Sequence, residues 1–175
     1  MNEDRKNNII LIGYMGCGKT TVGESLARSL SYHFRDSDQL LEQKANDTIN
    51  HIFAAQGEEY FRNLETELLT ELLPVLKQTV LSTGGGLPLR EQNRKLLKEI
   101  GYVVYLKASK ETTLQRLVGD RTRPLLQGED MEQKIENMLA YRTPIYTQAA
   151  DQTVITDDKS IEEIVTLIKD NYMRL

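Results

Sequence analysis

Gly13–Thr20 reads GYMGCGKT and follows directly on Asn8–Ile12, NIILI. The eight residues fit the phosphate-cradle pattern G-x-x-x-x-G-K-[ST], in which glycines let backbone N–H groups turn inward onto phosphate oxygens. Lys19 then reaches the β- and γ-phosphates, and the Thr20 hydroxyl is a ligand for Mg²⁺. The pattern carries this meaning only between a strand and a helix, and both flanks supply that context. Asn8–Ile12 is short, apolar and β-branched, while Val22, Leu26 and Leu30 recur at helical spacing after the loop. A strand, an anion-binding turn and a helix N-terminus are predicted in succession, and with them a bound nucleoside triphosphate.

Outward from the loop, short apolar runs alternate with longer helical patterns. The strand candidates are Asn8–Ile12, Tyr32–Arg35, Thr79–Ser82, Tyr102–Leu106 and Thr153–Ile155. Between them Phe61, Leu64, Leu68 and Leu72 form one helical stripe, Met131, Ile135, Met138 and Leu139 a second, and Ile161, Ile164, Val165 and Ile168 a third. This alternation predicts an α/β chain with a parallel sheet covered by helices on both faces. Right-handed crossovers put every strand's C-terminal end on one edge, so functional residues are expected just after strands.

Composition narrows the function. At 175 residues and 39% hydrophobic the chain predicts one domain, residues 1–175. Its 22 basic and 26 acidic residues give a net charge of −4, so neither nucleic acid nor a membrane surface is an expected partner. No stretch approaches the roughly 20 apolar residues of a membrane span, and the start, MNEDRKNN, has no apolar signal core. The single cysteine, Cys17, occupies a free position of the phosphate loop and excludes an intrachain disulfide. A cytoplasmic protein is expected.

Further residues at the expected edge can bind or react. Arg35-Asp36-Ser37-Asp38 closes the second strand. Asp36 is a candidate for the Mg²⁺ shell, and Asp38 for orienting or deprotonating a hydroxyl of a phosphoryl acceptor; Asp38 or Ser37 could instead cap the helix that follows. TVLST, before Gly84-Gly85-Gly86, lacks the aspartate with which motor ATPases and GTPases serve the metal after this strand, which leaves Asp36 as the second metal ligand. The three glycines let backbone approach a ligand and donate N–H groups, or form an ordinary turn. Arg62 could pair with Glu58, Glu59 and Glu65 on a solvated face, and Arg142 could complement the end of a helix stopping before Pro144; together they could instead clamp one carboxylate. Gly119–Gly128, GDRTRPLLQG, reads as a hinged lid over about 119–130 that brings Arg121 or Arg123 to the triphosphate, or as a plain charged loop.

Taken together, GYMGCGKT, the DSD pair, GEEYFRNLE, LSTGGG, RTRPLL and YRTPIY resemble the shikimate kinase family, in order and at similar separations, from the phosphate loop almost to the C-terminus. The resemblance implies a three-layer P-loop kinase fold with a five-stranded parallel sheet in the order 2-3-1-4-5 and a mobile lid. It implies ATP and Mg²⁺, with Gly16, Cys17, Gly18, Lys19, Thr20 and Thr21 on the phosphates and Thr20 on the metal. It further implies shikimate held by Asp38, Arg62, Arg142 and the Gly84, Gly85, Gly86 turn, with Arg123 as the lid residue on ATP and no counterpart for Arg121. Arg116 and a residue near Lys159 would face the adenine, and the protein would be a monomer. Lys19, Asp38 and Arg123 are the expected catalytic set. A gluconate-type or nucleoside monophosphate kinase, and a non-catalytic nucleotide-binding module, are the competing readings; a nucleotide acceptor would ask for phosphate-binding arginines rather than an aspartate on hydroxyls.

Overall fold

The computed structural model describes residues 7–117 and 130–175. Five parallel strands, β1 (Asn8–Ile12), β2 (His33–Asp36), β3 (Thr79–Ser82), β4 (Tyr102–Lys107) and β5 (Gln152–Ile155), lie in the order β2-β3-β1-β4-β5. The apolar run of β1 makes it the centre: Ile9 is in register with Val80 on one side and Tyr102 on the other. All five of its residues are buried, as a strand covered on both faces requires. The edge strands β2 and β5 keep alternate residues exposed.

Strand alternation sorts the core into two faces. Ile9, Leu11, Val104 and Leu106 pack with Val22 and Leu26 of α1 (Lys19–Leu30) and Ile164, Val165 and Ile168 of α8 (Ile161–Tyr172). Ile10, Ile12, Leu81, Val103 and Tyr105 face the other way, onto Leu69 of α4 (Glu58–Leu72), Leu97 of α5 (Glu91–Ile100), and Ile135 and Tyr146 of α7 (Met131–Ala149). A third cluster, Leu41, Ile52, Phe61 and Leu68, fastens α2 (Ser37–Ala45) and α3 (Ile49–Gln56) to α4. The remaining described helix, α6 (Lys110–Leu117), follows β4. None of the described helices is long and apolar enough to cross a membrane.

Several boundaries differ from the sequence reading: β2 lies one residue later, β4 ends one residue later and β5 begins one residue earlier than expected. The second strand begins at His33, because Ser31 takes a left-handed conformation to close α1 and Tyr32 donates its N–H back to Ala27 O. More consequentially, α7 does not stop before Pro144 but runs on to Ala149. An internal proline costs about 3 kcal/mol, and tertiary contacts hold the helix beyond it. Tyr146 is wholly buried, its ring 5.1 Å from that of Tyr105, and its hydroxyl donates to Gly85 O at 2.5 Å. Arg142 is therefore an interior residue of α7, not a charge at a helix end.

Candidate active site

The phosphate loop fills the turn between β1 and α1. Gly18 caps α1 at φ 88° without offering a side-chain acceptor, so the first N–H groups of the helix have no side chain on their capping residue and suit an anion. Lys19 leans over the loop, its Nζ donating to Gly13 O at 2.7 Å and Tyr14 O at 3.1 Å, with Cys17 Sγ at 3.6 Å. Cys17 itself is buried, which takes it away from reagents and points to packing under the loop.

A cavity of about 270 Å³ opens at the C-terminal ends of β1, β2 and β3, where the topology predicts a ligand. Lys19, Thr20, Asp36, Asp38, Ser82 and Gly85 are among the residues that line it. Asp36, rather than Ser37 or Asp38, caps α2: its Oδ1 accepts from the N–H groups of Asp38 at 2.9 Å and Gln39 at 3.1 Å. Capping uses that oxygen, and the capping hydrogen bonds leave Oδ2 out. Asp36 and Thr20 line the same cavity and bring hard oxygen donors few in number, the ligand type and sparseness that suit a phosphate-bound Mg²⁺.

The three glycines after β3 have a sharper role than the sequence suggested. Gly84 donates its N–H to the buried Ser37 Oγ at 2.9 Å, so this donor is engaged within the protein. Each glycine instead makes room for one charged side chain. A Cβ on Gly84 would stand 2.7 Å from Asp38 Oδ1; one on Gly85, 3.4 Å from Arg142 Nη1; and one on Gly86 would run into the Arg62 guanidinium, 2.5 Å from Cζ and Nη1 and nearer still to Nη2. Three charged groups from β2–α2, α4 and α7 are thus gauged against one turn.

Arg62 does not lie on a solvated face. Its side chain is 11% exposed, and Nη1 meets Oε2 of Glu65, 1% exposed, at 2.8 Å; only Glu58, at 3.4 Å, is outside. The other Glu65 oxygen, Oε1, is buried without a hydrogen-bond partner among the described residues. Burial raises the Glu65 carboxyl to about 7 despite the opposing pull of Arg62, with the nearby Asp38 charge adding to the rise. Arg142, 6% exposed, lies with Cζ 5.6 Å from the Tyr14 ring centroid. Tyr146, one turn further along α7, anchors Gly85, and burial holds its phenol above the usual range.

Behind the phosphate loop a second cavity of about 360 Å³ has Val22, Ile161 and Ile164 as apolar walls and Arg116 and Lys159 at its rim. Arg116 donates to Gly16 O at 2.8 Å. The two residues expected near adenine are brought together here, in a space suited to a flat apolar group beside the phosphates. Arg121 and Arg123, with the lid as far as residue 129, lie outside the described residues. Glu65 and Tyr146 were missed as site residues, although both sit on the helical face of an arginine that was found, Glu65 three residues after Arg62 and Tyr146 four after Arg142.

The family model described as shikimate kinase matches residues 15–172. A shikimate kinase of Thioalkalivibrio sulfidiphilus is 47% identical over 166 residues, 95% of this chain and 87% of that protein. A shikimate kinase of Francisella tularensis subsp. holarctica is 43% identical over 164 residues, 94% of this chain and 93% of the relative. The structure of shikimate kinase from Acinetobacter baumannii in complex with shikimate superposes with a TM-score of 0.90 at 43% identity, covering 96% of this chain and 93% of that one. A gluconokinase from Sinorhizobium meliloti, 15% identical with a TM-score of 0.56 over 98% of this chain and 94% of its own, shares the fold alone.

Proposed function

The chain belongs to the shikimate kinase family, and we propose that it transfers the γ-phosphoryl group of ATP to the 3-hydroxyl of shikimate, giving shikimate 3-phosphate and ADP on the way to chorismate and the aromatic amino acids. The observation that carries this reading is the convergence of Asp38, Arg62 and Arg142 on the Gly84–Gly86 turn beside the phosphate loop. Two guanidinium groups with one carboxylate suit an acceptor that offers a carboxylate and neighbouring hydroxyls.

In this mechanism Gly16–Thr21 cradle the phosphates and the base of ATP lodges against Arg116. Arg62 and Arg142 grip the acceptor carboxylate. Asp38 accepts the hydrogen bond of the reacting hydroxyl and turns its oxygen in line with the γ-phosphorus; a P–O bond forms there as the bond to the ADP oxygen breaks, and the hydroxyl proton leaves by way of the Asp38 carboxylate to solvent. Mg²⁺, held by Thr20 and Asp36, would neutralise charge on the β- and γ-phosphates. Lys19 and Arg123 bring positive charge to the oxygens of the moving group, so positioning and electrostatics supply most of the rate. A cytoplasmic location, a monomeric state and a single domain belong to the same proposal, the second open to size-exclusion chromatography.

The test is ADP release with MgATP and, in turn, shikimate, quinate, gluconate, AMP or no acceptor. Release that depends on shikimate is the expected result. Release with another acceptor alone overturns the assignment of Asp38, Arg62 and Arg142 while leaving the phosphate loop standing, and ATP binding without turnover on any acceptor revives the non-catalytic reading.

A further inference from the structure

Asp157 sits in the β5–α8 loop, outside both cavities, yet it gathers more side-chain bonds than any other carboxylate described above. Its Oδ2 accepts the Ser109 N–H at 3.0 Å, and its Oδ1 accepts the Ser109 hydroxyl at 2.8 Å and the Thr112 hydroxyl at 2.5 Å. Ser109 Oγ in turn accepts the Thr112 N–H at 3.1 Å. The carboxylate therefore completes the N-terminus of α6 from across the fold, where a negative charge also complements the helix dipole. Those donors, the Thr112 hydroxyl foremost, hold its carboxyl below the ordinary aspartate range. Such a tie is local chemistry, but its two ends matter for the second cavity.

On one side, the loop residues flanking Asp157 are Thr156 and Lys159, both lining that cavity. On the other, α6 carries Arg116, which lines the same cavity and bonds Gly16 of the phosphate loop. The floor, Val22 and Ile164, is fixed in the core. Among the described residues, the side-chain hydrogen bonds that join the loop to the start of α6 all end on Asp157. Asp158, next in the chain, takes φ 56°, a left-handed turn conformation that aspartate tolerates.

We propose that Asp157 is a positioning residue for the nucleotide, setting the width of the cavity that receives the base by tying the β5–α8 loop to the start of α6. The inference deepens the reading of that cavity as the base site, and its test needs no acceptor, so it stands or falls separately from the assignment of shikimate.

The experiment compares calorimetric affinities of the full chain for ADP and for inorganic tripolyphosphate, which has the phosphates without the base, in the unaltered protein, Asp157→Asn and Asp157→Ala. Asp157→Ala is expected to weaken ADP binding roughly tenfold, the scale of one charge-assisted hydrogen bond, and to leave tripolyphosphate unchanged. Asp157→Asn, which keeps one acceptor oxygen, should fall between. Should Asp157→Ala not fold, Thr112→Val removes a single donor and should move ADP in the same direction. Equal weakening of both ligands, or no change in either, overturns the proposal, as does an unaltered protein in which the base adds nothing to affinity.

Discussion

Replacing Gly86 by alanine separates what a glycine does for the backbone from what it does for the site. Gly86 lies at φ −89° and ψ −8°, which alanine adopts freely, so the backbone does not resist the change. The smaller entropy of the unfolded chain even favours the variant by about 0.4–1 kcal/mol. The added methyl group, however, would stand 2.5 Å from Cζ and Nη1 of Arg62, where ordinary contacts lie at about 3.5–4.0 Å. The guanidinium must retreat by about 1 Å, and it can, being the far end of a flexible side chain. A charge-assisted hydrogen bond contributes about 1.5–3 kcal/mol, so losing the alignment of Arg62 should raise the shikimate KM by roughly 10- to 150-fold. Steady-state kinetics should show the ATP KM within about twofold of its original value, while thermal melting reads the balance of the backbone gain against a disturbed Arg62–Glu65 pair. In an Arg62→Ala background the glycine change should add nothing, since the group it displaces is gone. An unchanged shikimate KM, or a penalty that persists without Arg62, refutes the reasoning.

Arg142→Ala should raise the acceptor KM by about 10- to 100-fold and the ATP KM far less; equal effects on both would sink the clamp. Tyr146→Phe removes the donor to the half-buried Gly85 carbonyl, a loss of about 0.5–1.5 kcal/mol that should lower Tm by a few degrees in differential scanning calorimetry. Glu65 gives the chain a pH dependence with a definite sign. Its carboxyl rises from the ordinary 4.5 to about 7 on folding, so between these values the folded state holds a proton that the unfolded state has released. Stability should fall as pH rises from about 4.5 to 7, by a few kcal/mol at most, and level off above. Glu65→Gln, fixed in the neutral form, should flatten the Tm profile over that window, and an equal slope in both proteins would show that another group titrates there.

The fold was legible because its signals were local. NIILI, TVLS and YVVYLK are runs too apolar and too short for anything but strands covered on both sides, and the loop after the first of them fixed its neighbour as a helix. The acceptor site was legible as residue types at strand ends and on two helices. What escaped was set by contacts between distant residues. Pro144 reads as a helix stop from its ring alone, and only the burial of Tyr146 against Tyr105 and Gly85 carries α7 past it. That Arg62 and Glu65 pair in the interior escaped because spacing says nothing of depth. Asp157 lies 48 residues from Ser109, and no periodicity links them.

Placing the phosphate loop on the central strand has a consequence for the order of assembly. Of the five strands β1 is made first, but it pairs with β3 and β4, whose last residue is Lys107. At about 5–20 residues per second, the loop leaves the ribosome roughly 5–20 s before its second neighbour has been synthesised. Until Ser82 has been made NIILI has no neighbouring strand to join, and until Lys107 it has only one, so one of its edges stays open to chaperones or to other nascent chains. The part of the molecule that announces its chemistry earliest in the sequence thus waits for strands made later before both of its edges are paired.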